Sequence, residues 1–167
     1  MELRVSSIKN AEYDLQKTKN NVKVIIISSY DKDIKFILPE NKLILNFEDT
    51  EIPSKNAFNL MLAKKIHDFI NTIDFNKYKL YICCDSGESR SAAVACAILR
   101  KYKENENVIW KDYNYHPNIL VYDILCKEFG LRNSKLRLKY KKYINKKALR
   151  DKINKSRIKN KKVVKNF

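Results

Sequence analysis

Glycine is almost absent from this chain, which has only Gly87 and Gly130 among its 167 residues. Each glycine therefore marks a position at which a side chain would be costly. Gly130 follows the apolar-periodic segment Asn118–Phe129, and it is predicted to cap the C-terminus of a helix. Gly87 lies in a polar stretch after an apolar strand, so it needs a different explanation.

Long apolar runs and paired cysteines are also missing. No stretch approaches the roughly 18 apolar residues of a membrane-spanning helix, and the first part of the chain lacks the apolar core of a signal sequence. The four cysteines, Cys83, Cys84, Cys96 and Cys126, have neither the spacing of a metal site nor the density of a secreted disulfide scaffold. We therefore expect a soluble cytoplasmic protein with reduced cysteines.

The net charge of +16 is distributed unevenly. Residues 1–131 hold 19 basic and 18 acidic side chains, whereas residues 132–167 hold 16 basic side chains and only one acidic residue, Asp151. We predict a nearly neutral domain over 1–131 and a basic tail over 132–167 that is partly helical or disordered. Such a tail is typical of a solvated extension, but it would also suit a nucleic acid or an anionic membrane surface as partner.

Apolar patterns predict a layered α/β fold. Strands are predicted at Leu3–Ile8, Val22–Ser29, Lys35–Leu38, Lys42–Phe47 and Lys79–Cys84. Helices are predicted at Ala57–Ile73, opened by Pro53 and Ser54, and at Arg90–Tyr102 and Asn118–Phe129, with an irregular segment at Asn105–Tyr115. Because strands alternate with helices, we expect a central, mostly parallel sheet of four to five strands flanked by helices, followed by the basic C-terminal extension.

One strand, loop and helix bring chemically active side chains together. The segment reads Cys84, Asp85, Ser86, Gly87, Glu88, Ser89, Arg90, Ser91. A loop between a strand and a helix can turn backbone N–H groups toward an anion at the positive end of the helix dipole. Gly87 supplies the backbone freedom for this curvature, and Arg90 offers a planar fork to two phosphoryl oxygens. The same positive field would stabilise a Cys84 thiolate.

The loop resembles the signature Cys-x2-Gly-x2-Arg-Ser/Thr of cysteine-dependent protein tyrosine and dual-specificity phosphatases. The resemblance covers roughly residues 3–130. It extends to the small bacterial and phage members in Asn46–Asp49, in the Ala63–Ile70 helix and in Tyr115–Asn118. It implies that Cys84 is the nucleophile, that Arg90 clamps the phosphate and that Ser91 stabilises the departing thiolate. Asp49, 35 residues before Cys84, matches the position of the general acid.

The resemblance further implies a phosphate-binding loop (P-loop) formed by Asp85, Ser86, Gly87, Glu88, Ser89 and Arg90, with no metal and no cofactor. Two assignments stay open at this point. Glu51 is the alternative to Asp49 as general acid, since both lie in one acidic loop. Cys83 stands where the family has histidine, a change that allows either slower turnover or phosphate binding without turnover.

The expected substrate is a phosphorylated protein. Asp85 and Glu88 lie inside the loop where lipid-phosphate phosphatases carry lysines, so they would repel a polyanionic headgroup unless both point into solvent. The alternatives are a nucleic-acid-binding protein and an RNA 5′-phosphatase, either of which would use the basic tail. Cys83 is expected to face away from Cys84 as a packed side chain, and Asn118 to hold the loop through side-chain bonds.

Overall fold

Four parallel strands form the sheet at the centre of the fold. The computed structural model describes residues 1–17, 21–29 and 39–164. Within these ranges the strands are β1 (Leu3–Ser7), β2 (Val22–Ser28), β3 (Lys42–Asn46) and β4 (Lys79–Cys84). Their order across the sheet is β1-β4-β2-β3, and all three pairings are parallel. The predicted parallel α/β architecture is confirmed.

Both faces of the sheet are covered, which explains the unbroken apolar run of β2. Ile25 and Ile27 face the larger core, which three later helices complete, whereas Val24 and Ile26 face the smaller core under the helix Ile8–Lys17. A strand that buries both faces does not alternate polar and apolar residues. All four side chains have no solvent exposure.

Six helices lie in the described ranges. They are α1 (Ile8–Lys17), α2 (Leu60–Asn71), α3 (Arg90–Lys101), α4 (Asn107–Trp110), α5 (Ile119–Glu128) and α6 (Lys135–Val164). A single 3-10 turn covers Pro39–Asn41. Among the described residues, no helix combines the length and the apolar character that crossing a membrane would require.

Two details differ from the sequence predictions, and a third prediction cannot be compared. Helix α2 begins at Leu60 and not near Pro53, because the Asn59 side chain accepts the Leu62 N–H and caps the helix there. Helix α1 was not predicted, although Ile8, Ala11 and Leu15 have helical spacing and form its buried side. The strand predicted at Lys35–Leu38 lies outside the described residues.

Gly130 ends α5 as predicted. Its φ is +71°, and its N–H donates to the Lys127 carbonyl at 3.0 Å. The Leu131 N–H donates to the Cys126 carbonyl at 2.8 Å. These two bonds form a Schellman motif, in which a left-handed residue closes the helix.

Helix α6 packs against the domain through its first half. Ile144 is buried, and the Lys141 ammonium lies 3.0 Å from the Glu106 carboxylate just before α4. Asn145 donates to the backbone carbonyls of Trp110 and Tyr115 at 3.2 and 2.8 Å. Within the described residues the basic segment therefore forms a helix, and one face of its first half is fixed on the rest of the fold.

Candidate active site

The predicted loop lies at the C-terminal edge of the parallel sheet. Cys84 is the last residue of β4, and Arg90 is the first residue of α3. Cys84 is flanked by Ser7 at the end of β1 and by Ile27 near the end of β2. In open parallel sheets this edge, where strands end and helices begin, is where ligands bind.

Gly87 is required by close packing as well as by its backbone conformation. Its φ is +81°, a region that L side chains rarely adopt. A Cβ atom at this position would lie 2.3 Å from the Ser7 nitrogen and 2.4 Å from the Ser6 carbonyl carbon. The loop therefore presses directly on the end of β1, and only glycine fits between the two segments.

The Cys84 thiol is fully buried and lies at the centre of the loop. Its Sγ atom is 3.1 Å from the Ser91 Oγ and accepts the Gly87 N–H at 3.3 Å. Both contacts come from the loop and the first turn of α3. This geometry can stabilise negative charge on the sulfur, because two donors converge on it at the positive end of a helix.

Arg90 is held behind the loop by three oxygen acceptors. One terminal nitrogen donates to the Phe47 carbonyl at 2.7 Å and to the Ser29 hydroxyl at 2.9 Å. The other donates to the Asp85 carboxylate at 2.8 Å. Nε is buried and donates no hydrogen bond to any residue in the described ranges. The guanidinium is thus fixed in place with its buried Nε–H unsatisfied.

Asp85 is paired with Arg90 and does not point freely into solvent. Its carboxylate accepts hydrogen bonds from the Arg90 guanidinium and from the Ser29 backbone N–H, the latter at 3.1 Å. Glu88, by contrast, is exposed. The two loop carboxylates thus differ, because the charge of Asp85 is offset by an arginine while that of Glu88 faces water.

Asp49 lies beside the loop, as its proposed role requires. One carboxylate oxygen accepts from the Ser89 hydroxyl and from the Asn118 amide, both at 2.8 Å. The other oxygen lies 3.7 Å from the Arg90 Nε. Ser89 and Arg90 both belong to the loop and helix that follow Cys84, so the structure brings Asp49 to the segment that the sequence predicts to bind phosphate.

The carboxylate of Glu51, the alternative candidate for the general acid, contacts two helices and not the loop. Its carboxylate accepts the Ile119 N–H at the start of α5 at 3.2 Å and pairs with the Lys142 ammonium of α6 at 2.5 Å. These partners hold Glu51 between two helices. Of the two carboxylates, Asp49 is the one that contacts the loop.

Two further side chains, Asn118 and Ser29, contact residues of the candidate site. Asn118 is buried, and its side chain caps α5 through the Leu120 and Val121 N–H groups while it donates to Asp49. Ser29 follows β2 and contacts both Arg90 and Asp85. Ser29 was not predicted as a site residue. Its position directly after a buried strand is a signal that could have identified it, because parallel strands end at the edge of the sheet where ligands bind.

Cys83 faces the opposite side of the sheet from Cys84. It belongs to the core beneath α1, together with Val24 and Ile26, whereas Cys84 belongs to the core of the other face. Burial, followed by the nearby Cys84 and Asp85, raises the pKa of Cys83 to about 12. Cys83 is therefore an inert packed thiol, as the alternation along a strand predicts.

Comparisons with known proteins identify the fold. No protein-family model matches the sequence, and no curated protein matches it. The structure is similar to the crystal structure of DUSP15, with a TM-score of 0.56 and 18% identity over 84% of this chain and 90% of that chain. It is also similar to the Cydia pomonella PTP-2 phosphatase, with a TM-score of 0.53 and 19% identity over 76% of this chain and 85% of that one. A human tyrosine phosphatase-like serine/threonine/tyrosine-interacting protein gives a TM-score of 0.50 and 18% identity over 72% and 83%.

Proposed function

We propose that this protein is a cysteine-dependent phosphatase that hydrolyses phosphate monoesters, with residues 1–131 as its catalytic domain and 132–167 as a basic extension. The observation that carries the proposal is the Cys84 thiol in contact with the Ser91 hydroxyl and the Gly87 N–H, in the loop that ends at Arg90. The similarity in fold to protein tyrosine and dual-specificity phosphatases supports it.

In the first step the Cys84 thiolate attacks the phosphorus of the bound ester in line with the leaving oxygen. A sulfur–phosphorus bond forms and the phosphorus–oxygen bond to the leaving group breaks. Arg90 and the loop N–H groups of residues 85–90 hold the remaining phosphoryl oxygens. Asp49 donates a proton to the leaving oxygen, which departs as an alcohol or phenol.

In the second step a water molecule attacks the phosphocysteine. Asp49, now a carboxylate, takes a proton from the water, and the sulfur–phosphorus bond breaks to release inorganic phosphate. The Ser91 hydroxyl, 3.1 Å from Cys84 Sγ, donates a hydrogen bond to the thiolate as it departs. The reaction uses no metal and no cofactor, and it needs Cys84 as a free thiolate, which suits a reducing cytoplasm.

The favoured substrate is a protein that carries phosphotyrosine or phosphoserine/threonine. Glu88 is exposed in the loop, so it adds a negative charge at the entrance that disfavours a polyanionic inositol headgroup. Asp85 is offset by its ion pair with Arg90 at 2.8 Å and adds less to this repulsion.

The 5′ end of RNA is the second candidate substrate. The observation in its favour is the ion pair between Lys142 of α6 and Glu51 of the acidic loop. This contact joins the basic helix to the segment that carries Asp49, so positive charge lies beside the candidate active site. A long anionic substrate would be attracted along this path.

The deciding experiment measures initial rates with a phosphotyrosine peptide, a phosphoserine peptide and a 5′-triphosphorylated RNA. Cys84→Ser should abolish turnover of every substrate while phosphate or vanadate binding is kept, because the loop is intact but the nucleophile is lost. Cys83→Ala is the matched control, since it changes the neighbouring thiol on the opposite face and should keep turnover. Turnover by Cys84→Ser would refute the mechanism, and phosphate binding without turnover by the wild type would identify a pseudophosphatase.

A further inference from the structure

The side of α6 turned away from the domain carries a continuous band of positive charge. We define this outer face by its residues, which are Lys135, Lys139, Tyr143, Lys146, Lys147 and Arg150. All six are exposed. At 3.6 residues per turn they fall within an arc of about 120°, and they hold five cations and no acid.

The orientation of α6 is fixed, so this band stays in solvent. Ile144 is buried against the domain, and the side chain of Lys141, only 4% exposed, forms an ion pair with Glu106. Asn145 donates to the backbone carbonyls of Trp110, the last residue of α4, and of Tyr115. These residues lie on the opposite side of the helix from the outer face, because positions 141, 144 and 145 are about half a turn from 139, 143 and 146.

Helix α6 also contacts the segments around the candidate active site, through residues outside the outer face. His116 links the helix to the loop, because its N–H donates to the Glu88 carbonyl in the loop at 2.9 Å while its ring lies 3.5 Å from the Asn145 side chain. A second link runs from Lys142 to Glu51 in the acidic loop. These contacts hold the helix in place and leave the outer face free of them.

We propose that the outer face of α6 binds single-stranded nucleic acid. Cations that repeat along one side of a straight helix match a linear chain of phosphates, and positions 135 to 150 extend over about 22 Å. Tyr143 lies within the band and Tyr140 beside it, with 57% and 55% of their surfaces exposed. Exposed aromatic rings between cations offer a stacking surface to bases that are not paired.

A membrane surface fits this helix less well. A helix that lies in the lipid interface buries a continuous apolar face among the acyl chains. On α6 the buried apolar residue Ile144 faces the domain, and the outer face presents Tyr143 among lysines and an arginine, with the exposed Leu136 near its N-terminal end. One leucine and one tyrosine among five cations do not form a continuous apolar face.

The test uses the full chain and a 5′-hydroxyl, 3′-labelled oligouridine of about 20 nucleotides, whose binding is followed by fluorescence anisotropy. This probe has no terminal phosphate for the Cys84 loop, so its binding is independent of the proposed phosphatase activity. The outer-face variant replaces Lys139, Lys146, Lys147 and Arg150 with glutamine. The matched control replaces four exposed lysines elsewhere, Lys9, Lys64, Lys65 and Lys77, also with glutamine, so that the net charge changes equally.

The outer-face variant should lose affinity by about tenfold or more, and its salt dependence, log K against log salt, should become shallower by about 3. The control variant should keep affinity within about twofold. Tyr143→Ala should weaken binding and Tyr143→Phe restore it, because phenylalanine keeps the stacking ring. Circular dichroism should show unchanged helicity, since glutamine is a good helix former.

Four outcomes would overturn the proposal. The first is no oligouridine binding by the wild type, the second is an unchanged affinity of the outer-face variant, and the third is an equal loss of affinity in both four-site variants. The fourth comes from a parallel measurement with vesicles of phosphatidylserine and phosphatidylcholine: the outer-face variant loses affinity for the vesicles but not for the oligouridine. The third outcome would mean that only net charge matters. The last would identify the partner as an anionic membrane.

Discussion

Arg90 contacts oxygen atoms from three separate segments of the chain. Ser29 follows β2, Phe47 follows β3, and Asp85 lies in the loop itself. These contacts fix the guanidinium before any ligand arrives, so little side-chain entropy is lost on binding. In the proposed mechanism the unsatisfied Nε, 3.7 Å from the Asp49 carboxylate, is one of the donors that remain for a phosphoryl oxygen.

At the residue scale, Asp49→Asn tests which carboxylate is the general acid. The amide keeps the size of the side chain but has no proton to donate, so kcat should fall by about 100-fold or more on phosphotyrosine. The loss should be much smaller on p-nitrophenyl phosphate, whose leaving group departs without protonation. Initial rates on both substrates, measured across pH, give the comparison.

Glu51→Gln is the matched control for Asp49→Asn. Its contacts are the Ile119 N–H and Lys142, not the loop. We expect it to keep kcat within about threefold on both substrates. If Glu51→Gln shows the large loss that depends on the leaving group and Asp49→Asn does not, the two assignments are exchanged.

At the scale of elements, Asn118 couples the start of α5 to the acidic loop. Its side-chain oxygen accepts the Leu120 and Val121 N–H groups, while its amide nitrogen donates to the Asp49 carboxylate at 2.8 Å and to the Thr50 carbonyl at 3.1 Å. One buried side chain therefore serves two elements. The cap stabilises the helix, and the amide nitrogen orients the Asp49 carboxylate.

Asn118→Ser separates these two functions. Serine is also a good N-cap, so the free energy of unfolding should fall by only about 1 kcal/mol. Serine lacks the amide that orients Asp49, so kcat on phosphotyrosine should fall by about tenfold. In an Asp49→Asn background the same change should have no further effect on kcat. An additive loss in that background would show that Asn118 acts by another route.

The strand, loop and helix around Cys84 could be predicted from local signals, whereas contacts between distant segments could not. The strand, loop and helix around Cys84 are contiguous, and their apolar pattern and Gly87 sufficed to predict them. The Asn59 cap, after which α2 begins, is also a local signal. The start of the helix was nevertheless predicted too early, because Pro53 and Ser54 are also typical of a helix start. The ion pair of Asp85 with Arg90 depends on Ser29, 56 residues earlier in the chain, so the sequence left its orientation open.

At the scale of the whole molecule, the sequence shows where the positive charge lies, but it does not show how helix α6, which carries that charge, is attached to the rest of the fold. The excess of basic residues after 131 is visible by counting. The burial of Lys141 could not be predicted in this way. Its partner Glu106 precedes a four-residue helix in a segment that was predicted to be irregular. A buried lysine is tolerated only where it forms an ion pair with a carboxylate, and no local sequence pattern predicts which carboxylate that will be.

Glu106 therefore controls how firmly α6 is held, and this attachment should depend on pH. Burial acts to raise the pKa of Glu106, but hydrogen bonds from Tyr122, Lys141 and Trp110, with the charge of Lys141, hold it below its ordinary value of 4.5; Arg137 also pairs with it. A lowered pKa in the folded state gives stability that is complete above about pH 4.5 and is lost as pH falls through the folded value.

Glu106→Gln should lower the free energy of unfolding by about 3 kcal/mol at pH 7, because Lys141 is left buried without its carboxylate. The gap to wild type should narrow as pH falls from 5 to 3, since protonation then removes the same charge from the wild type. Urea unfolding at several pH values measures both quantities. Glu104→Gln, two residues away and half exposed, should leave stability unchanged within about 0.5 kcal/mol. A gap that stays constant down to pH 3 would mean that the charge of Glu106 does not hold α6 in place.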